Sequence, residues 1–287
     1  MRCVSLVAVA CLCLQIAVIG STFHPDLAFS ARVRGFSAIH LLDANSGEVV
    51  VLEGTSGNDE HPVWSPDGDS VLFTSTVTGS MELYRMDLDG TGVEQLTDEA
   101  GSDGWPSWSP DGGRIAFYSE RGGGSNVCVM DADGRDAQAL TYGEGINGEP
   151  SWSPSGDLIA FMSNRTGNRE IFVMTADGED LRNLTSHPAT DWQPCWSSDG
   201  EFIAFVSDRA GPDSEIHVIG ADGGDVRRLT DRAGSESYPT WSPDGAYVLF
   251  SAADNGVQQL FRVHVETGDV EQLTFGPPSK SFGRYRP

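Results

Sequence analysis

The chain has 287 residues and is strongly acidic, with 42 Asp and Glu residues against 18 Lys and Arg residues and a formal net charge of −24. This charge argues against nucleic acid and anionic membrane surfaces as partners, because both would be repelled. The 34 glycines, several of them in Asp-Gly pairs, favour a turn-rich all-β protein over a helical one.

The N-terminal segment is an apolar run over residues 4–20 that follows Arg2. Small residues immediately before Ser21 suit cleavage, so the run predicts a signal peptide over residues 1–20. A retained N-terminal anchor, a hidden strand and a lipid attached at Cys11 are the alternatives. We therefore expect an exported protein, periplasmic or extracellular, without a membrane span after removal of the signal.

The rest of the chain, residues 21–287, is built from a repeat of 44 or 45 residues. A Trp-Ser-Pro-Asp-Gly pentapeptide or a close variant begins at Trp64, Trp108, Trp152, Trp196 and Trp241. A second marker, a phenylalanine, recurs six times at Phe29, Phe73, Phe117, Phe161, Phe205 and Phe250. Each unit contains four short apolar segments separated by turn residues, as in a propeller blade. The sequence thus predicts one all-β domain, a six-bladed β-propeller with four-stranded blades.

The first unit lacks its Trp and its opening strand. Forty-four residues after Trp241 stands Tyr285, and the terminal Phe-Gly-Arg-Tyr-Arg-Pro aligns with Tyr-Pro-Thr-Trp-Ser-Pro of the last pentapeptide. We predict that this C-terminal strand completes blade 1, whose other three strands come from residues 26–54. Such a closure leaves no unpaired strand edge in the ring.

The repeated pattern LT…PxWSPDGxxIAFxSxRxGxxEIxVMxADG resembles the TolB-type, WD-like β-propeller repeat over residues 26–287. The resemblance implies an exported, cofactor-free propeller that binds another protein. In that family, the peptidoglycan-associated lipoprotein docks over the mouth of the propeller channel. We therefore expect a monomeric scaffold whose partner is a protein or peptide, with a cell-envelope lipoprotein as one candidate.

The loops that lead into the inner strands are expected to meet at the channel mouth and to carry the binding residues. The residue before the proline of each inner strand varies between aromatic and polar types, as in binding surfaces. The predicted partner-binding residues are His61, Trp105, Glu149, Trp192, Gln193, Tyr238 and Phe282.

The residue three positions before each of these prolines is acidic or an amide, which suits a structural loop brace. Arginines in the Ser-x-Arg turns of the same face are the expected partners of these side chains. The predicted loop-bracing residues are Asp59, Asp103, Asn147, Asp191, Glu236, Arg121, Arg165 and Arg209. A cation held by this acidic ring is the alternative, although we expect no bound metal.

Catalytic motifs are missing from the sequence, which has no GxSxG, HExxH or CxxC. We therefore predict a protein that is not an enzyme. The alternative is a carbohydrate-active propeller, because Trp105, Trp192 and Tyr238 could stack on sugar rings. Propellers of this repeat type also include oligogalacturonate lyases, which use loop His and Gln residues to hold a metal. His61 should nevertheless lie across the ring from His187 and Gln193.

Overall fold

The computed structural model describes residues 24–33, 35–44, 46–143 and 145–287. The predicted signal peptide at residues 1–20 lies outside these residues. The described part of the chain forms six antiparallel sheets of four strands each, so the predicted all-β, six-bladed propeller is confirmed. It includes no helix of the length and apolarity that crossing a membrane requires.

Within each blade, the strands are ordered from the channel outward. In blades 2 to 6 this order follows the chain, whereas in blade 1 the innermost strand is the last strand of the chain. Blade 1 has the order β24-β1-β2-β3, and its strands are β1 (Leu27–Val33), β2 (Phe36–Leu42), β3 (Val49–Leu52) and β24 (Lys280–Tyr285). Blade 2 contains β4 (Asp59–Trp64), β5 (Ser70–Ser75), β6 (Glu82–Asp87) and β7 (Glu94–Gln95). Blade 3 contains β8 (Asp103–Trp108), β9 (Arg114–Ser119), β10 (Asn126–Asp131) and β11 (Gln138–Ala139).

The three remaining blades repeat this arrangement. Blade 4 contains β12 (Asn147–Trp152), β13 (Leu158–Ser163), β14 (Glu170–Thr175) and β15 (Arg182–Asn183). Blade 5 contains β16 (Asp191–Trp196), β17 (Phe202–Ser207), β18 (Glu215–Gly220) and β19 (Arg227–Arg228). Blade 6 contains β20 (Glu236–Trp241), β21 (Tyr247–Asp254), β22 (Val257–His264) and β23 (Val270–Gln272).

The predicted ring closure is confirmed, because β24 pairs antiparallel with β1. Leu27 is opposite Tyr285, and Ala28 is opposite Arg284. Beyond the strand, the backbone N–H of Arg286 donates a hydrogen bond of 2.8 Å to the carbonyl oxygen of Asp26. The last strand of the sequence is therefore the innermost strand of the first blade.

The core lies within and between the blades. The six repeated phenylalanines are fully buried: Phe29, Phe73, Phe117, Phe161, Phe205 and Phe250. The repeated Trp packs between neighbouring blades: Trp64 of blade 2 belongs to one cluster with Ile39 and Leu41 of blade 1. Burial of so large a side chain at five of the six blade boundaries favours a closed ring.

The turn after each inner strand is ordered by its own side chains. The hydroxyl of Ser65 donates a hydrogen bond of 2.6 Å to Oδ1 of Asp67, and the same oxygen accepts one from the backbone N–H of Asp69 at 3.1 Å. These hydrogen bonds, that of Ser65 foremost, lower the pKa of the Asp67 carboxyl. The repeated Asp is therefore a turn residue, which stabilises the hairpin between the inner strand and the next.

Candidate functional site

Each inner strand has a β-bulge at its third residue. In blade 2, for example, the pairing with β5 shifts between Glu60 and Val63. The bulged residues all have a positive φ: His61 (52°), Trp105 (47°), Glu149 (54°), Gln193 (54°), Tyr238 (58°) and Phe282 (56°). This conformation costs a non-glycine residue about 1 kcal/mol or more, and a bulge re-aims the side chain that it carries. Here it brings these side chains together in the central channel.

One side of the channel is aromatic. The ring centroid of His61 lies 4.0 Å from that of Phe282 and 4.8 Å from that of Trp105. Tyr238 continues the cluster, with its ring centroid 4.2 Å from that of Phe282. Because these residues come from blades 1, 2, 3 and 6, the channel joins side chains that are far apart in the sequence.

The other side is polar and hydrogen-bonded from blade to blade. The backbone N–H of Gln193 donates to Oε2 of Glu149 at 2.7 Å, and the backbone N–H of Tyr238 donates to Oε1 of Gln193 at 2.7 Å. Two of the bulged N–H groups are thus satisfied by the bulged side chain of the preceding blade. This arrangement fixes the orientation of the Glu149 and Gln193 side chains.

A small cavity of about 40 Å³ lies among these residues. It is lined by His61, Trp105, Glu149, Gln193 and Tyr238, and also by Arg284, which follows the bulge of β24 by two residues. Space of this size accommodates a few water molecules or one small polar group of a partner that enters from the mouth.

The titratable groups of the cavity are shifted by their surroundings. Burial, and secondly the positive charge of Arg284, lowers the pKa of His61 to about 3, so its imidazole is neutral. Burial raises the pKa of Glu149 to about 7, against a smaller opposing effect of the hydrogen bond from Gln193. The carboxyl of Glu149 therefore exchanges its proton near neutral pH.

The predicted bracing residues lie where the inner strands begin. Arg121 forms an ion pair of 2.7 Å with Asp103 in blade 3, and Arg209 forms one of 2.7 Å with Asp191 in blade 5. In blade 4, Arg165 donates to Oδ1 of Asn147 at 2.8 Å. Each contact joins the start of the inner strand to the turn between the second and third strands of the same blade.

The other two members of this set have different partners. Asp59 accepts hydrogen bonds from the backbone N–H of Thr55 at 2.9 Å and from its hydroxyl at 2.5 Å. Glu236 accepts one from the hydroxyl of Thr230, and its carboxylate lies 3.8 Å from Arg232. Burial raises the pKa of Glu236 to about 7.

The structure places Trp192 apart from the other predicted binding residues. It is paired with Val206 and packs against the cluster between blades 5 and 6 that contains Trp241 and Val248. His187, the other candidate of a lyase-like metal site, is exposed and accepts a hydrogen bond from the backbone N–H of Ala189. Within the described ranges, no group of three or more His, Cys, Asp or Glu residues is arranged to hold a metal ion.

Sequence reasoning missed two features of the site. In blades 2 to 6, the threonine that follows the leucine just after the outer strand caps the third strand. Thr97, for instance, accepts from the backbone N–H of Leu83 at 2.9 Å and donates to Glu82 at 2.8 Å. The repeated Leu-Thr pair was the available signal. The second missed feature is Arg284. Its charge could have revealed it, because the residues aligned with it in the other repeats are all uncharged: Val63, Ser107, Ser151, Cys195 and Thr240.

The face at the mouth of the channel exposes large apolar side chains. Tyr142 is 74% exposed and Phe275 is 70% exposed, and both lie in loops that lead into inner strands. Phe36, 56% exposed, follows the turn between β1 and β2 on the same face. Exposed apolar groups grouped on one face are typical of interaction surfaces.

The fold and its channel define a class of protein, the six-bladed propellers with a side-chain-lined central cavity. The family model described as the TolB beta propeller domain matches residues 16–166 and 143–276. The chain therefore belongs to the TolB beta-propeller family. None of the curated proteins compared with this chain matches it.

Solved structures with the same fold include TolB proteins. TolB from Acinetobacter baumannii is 23% identical, with a TM-score of 0.83 over 92% of this chain and 67% of that one. A putative TolB from Agrobacterium tumefaciens is 24% identical, with a TM-score of 0.74 over 92% of this chain and 100% of that one. An oligogalacturonate lyase from Vibrio parahaemolyticus is 16% identical, with a TM-score of 0.57 over 88% of this chain and 74% of that one. At these identities the likeness concerns the fold alone.

Proposed function

We propose that the chain is an exported, non-enzymatic scaffold that binds a protein or peptide partner over the mouth of its channel. The observation that carries this proposal is the set of exposed apolar side chains on the mouth face, Tyr142, Phe275 and Phe36, at the same end of the ring as the loops that lead to an aromatic-walled cavity. Protein interfaces combine apolar anchors with recessed pockets, and this face has both.

The repeated frame and the variable channel residues support the same function. Acidic or amide side chains brace the inner strands in five blades, whereas the bulged residue differs in every blade. A constant frame that presents a different side chain from each blade suits recognition of one asymmetric partner. Membership of the TolB beta-propeller family supports an envelope protein as that partner and export as the route. In this proposal, residues 1–20 form the signal and residues 21–287 form the binding domain.

The test is capture of partners from an envelope extract of the source cells by the full-length chain, with chemical crosslinking and mass spectrometry. We expect one protein to be captured and to crosslink to residues of the mouth face. The Trp105→Ala/Tyr238→Ala variant should lose this capture, because it removes two anchors of the cavity. A matched control, Leu181→Ala/Val226→Ala, removes exposed apolar side chains at the outer ends of blades 4 and 5 and should keep it. Equal capture by all three forms would contradict the proposal.

Carbohydrate binding is the second candidate, and the aromatic rings of Trp105 and Tyr238 in the cavity favour it. A glycan screen with the wild type and with Trp105→Ala/Tyr238→Ala separates the two functions. Oligosaccharide binding that is lost in the variant would favour a glycan ligand. Release of unsaturated sugars that stops with a chelator would instead indicate a lyase.

A further inference from the structure

Arg284 carries a positive charge into the channel without a carboxylate partner among the residues that the structure describes. Its Nη1 donates a hydrogen bond of 3.1 Å to the carbonyl oxygen of the adjacent Gly283. Burial lowers the pKa of its guanidinium. A desolvated cation without a counter-charge is unfavourable, so buried arginines are normally paired with an anion.

Two neutral donors without partners line the same cavity. The side chain of His61 is only 7% exposed, yet within the described residues neither of its ring nitrogens has a hydrogen-bond partner. The indole N–H of Trp105 is buried and equally without a partner among these residues. Buried polar groups are nearly always hydrogen-bonded, so such groups around one cavity indicate a ligand that accepts hydrogen bonds.

We propose that the cavity binds a carboxylate of the docked partner, with Arg284 as its counter-ion and Trp105 and His61 as neutral donors. A carboxylate accepts several hydrogen bonds and pairs strongly with a guanidinium. Tyr238 and Phe282 form the apolar wall beside it, which suits a carboxylate carried on an apolar group, such as the last residue of a chain. The inference rests on the proposed function in one respect, that a partner on the mouth face supplies the carboxylate.

Glu149 makes this binding dependent on pH. The groups that face its carboxyl are the Gln193 N–H, Tyr238 and Arg169, with His61 and Arg284 on the same cavity. While Glu149 holds its proton, Arg284 is the one full charge of the cavity lining, and a carboxylate is attracted. When Glu149 ionises, its negative charge repels the ligand. The net charge of −24 acts over longer distances and is screened beyond about 8 Å at physiological ionic strength.

The experiment measures binding of two small probes to the purified full-length chain by calorimetry and by NMR shifts of the Trp105 indole. The probes are N-acetyl-phenylalanine, which has a free carboxylate, and its carboxamide, which has none. We expect the acid to bind at least about tenfold more tightly than the amide. Its affinity should fall between about pH 6 and about pH 8, and this fall should vanish in Glu149→Gln.

Variants assign the binding to the cavity. Arg284→Met should reduce the affinity for the acid by about tenfold or more, whereas Arg85→Met, which removes an exposed cation paired with Glu94, should not. If Arg284→Met does not fold, Trp105→Phe replaces it, because it removes the indole donor and keeps an aromatic ring.

Each outcome is decisive for the inference and independent of partner capture. Equal binding of acid and amide, or binding of neither, would overturn the carboxylate site even if a protein were captured. Conversely, acid-selective binding that requires Arg284 would stand if capture failed. A third probe, N-acetyl-aspartic acid N-methylamide, distinguishes a side-chain carboxylate from a terminal one, and preference for it would overturn the chain-end assignment.

Discussion

The indole N–H of Trp64 donates a hydrogen bond of 3.2 Å to the carbonyl oxygen of Arg284, 220 residues further along the chain. This bond joins blade 2 to the strand that completes blade 1. Arg286 strengthens the junction, since its guanidinium lies over the Trp64 ring at 5.4 Å and donates to the carbonyl oxygen of Gly68 at 2.9 Å. The C-terminal strand thus bonds to β1 on one side and contacts the neighbouring blade on the other.

Deletion of residues 282–287 should destabilise the whole domain by several kcal/mol, because it removes most of an inner strand and exposes Leu249 and Leu260, which pack against Gly283. The free energy of unfolding, measured by urea denaturation with Trp fluorescence, reports the loss. Deletion of Pro287 alone is the control and should have little effect, since this residue is exposed. An unchanged unfolding curve after the longer deletion would mean that another segment closes the ring.

Replacement of Asp191 should depend on whether the new side chain can still accept hydrogen bonds. Asp191→Leu leaves Arg209 unpaired in a site where the Asp side chain is 0% exposed, and should cost about 3–5 kcal/mol. Asp191→Asn should cost about 1–2 kcal/mol, because Asn147 occupies the equivalent position of blade 4 and accepts from Arg165 and Ser163. Thermal and urea unfolding of both variants tests the difference. Equal losses of stability in the two variants would mean that the hydrogen bond from Arg209 to residue 191 contributes little to the free energy of unfolding.

The stability of the protein should fall as the pH rises from about 4.5 to about 7. The folded state keeps the Glu149 proton up to about pH 7, whereas the unfolded chain releases it near the ordinary value of 4.5. Between these values the folded state binds more protons, so its free energy of unfolding decreases with rising pH, by roughly 3 kcal/mol for a group shifted this far. Glu236, whose pKa is also raised to about 7, acts in the same direction.

The measurement is urea unfolding at several pH values in the wild type, Glu149→Gln and the control Glu94→Gln. The Glu149→Gln variant should show a flatter dependence, and the control, an exposed residue paired with Arg85, should follow the wild type. A dependence that is identical in all three proteins would show that the Glu149 carboxyl is already ionised in the folded state.

The two cysteines of the propeller should differ in reactivity. Cys128 is fully buried, and burial raises the pKa of its thiol to about 11, so almost none of it is the reactive thiolate at neutral pH. Cys195 is partly exposed and lines a surface pocket with Trp196 and Thr240. Alkylation of the native protein followed by peptide mapping should modify Cys195 and spare Cys128. Modification of both at similar rates would contradict the burial of Cys128 in solution.

Much of the fold was predictable because the same local structural preferences recur in every repeat of the sequence. The spacing from Trp64 to Trp241 fixed the length of the blades, and the six phenylalanines from Phe29 to Phe250 fixed their number. A period of four short strands admits few other architectures. The alignment of Tyr285 with these tryptophans also predicted the ring closure, since any strand with the same apolar and turn pattern can take the same place in a sheet.

The site was less predictable, because a local sequence pattern does not determine the direction in which a side chain points. Trp192 and Gln193 are neighbours in the sequence, and both were expected at the mouth. The bulge at Gln193 turns its side chain into the channel, whereas Trp192 packs against the core between blades 5 and 6. The different directions of these two side chains depend on the positive backbone φ of Gln193, which Gln adopts only under constraint from the surrounding sheet.

The sequence by itself determined the blades, their number, the turns and the strand that closes the ring. These features follow from residue types repeated at a fixed spacing, which act through local propensity and burial. Only the tertiary structure decided that five of the six bulged residues line one cavity and that Arg284 enters it without a carboxylate partner among the described residues. Contacts across the ring join residues from different repeats, and their geometry exists only once all the blades have packed together.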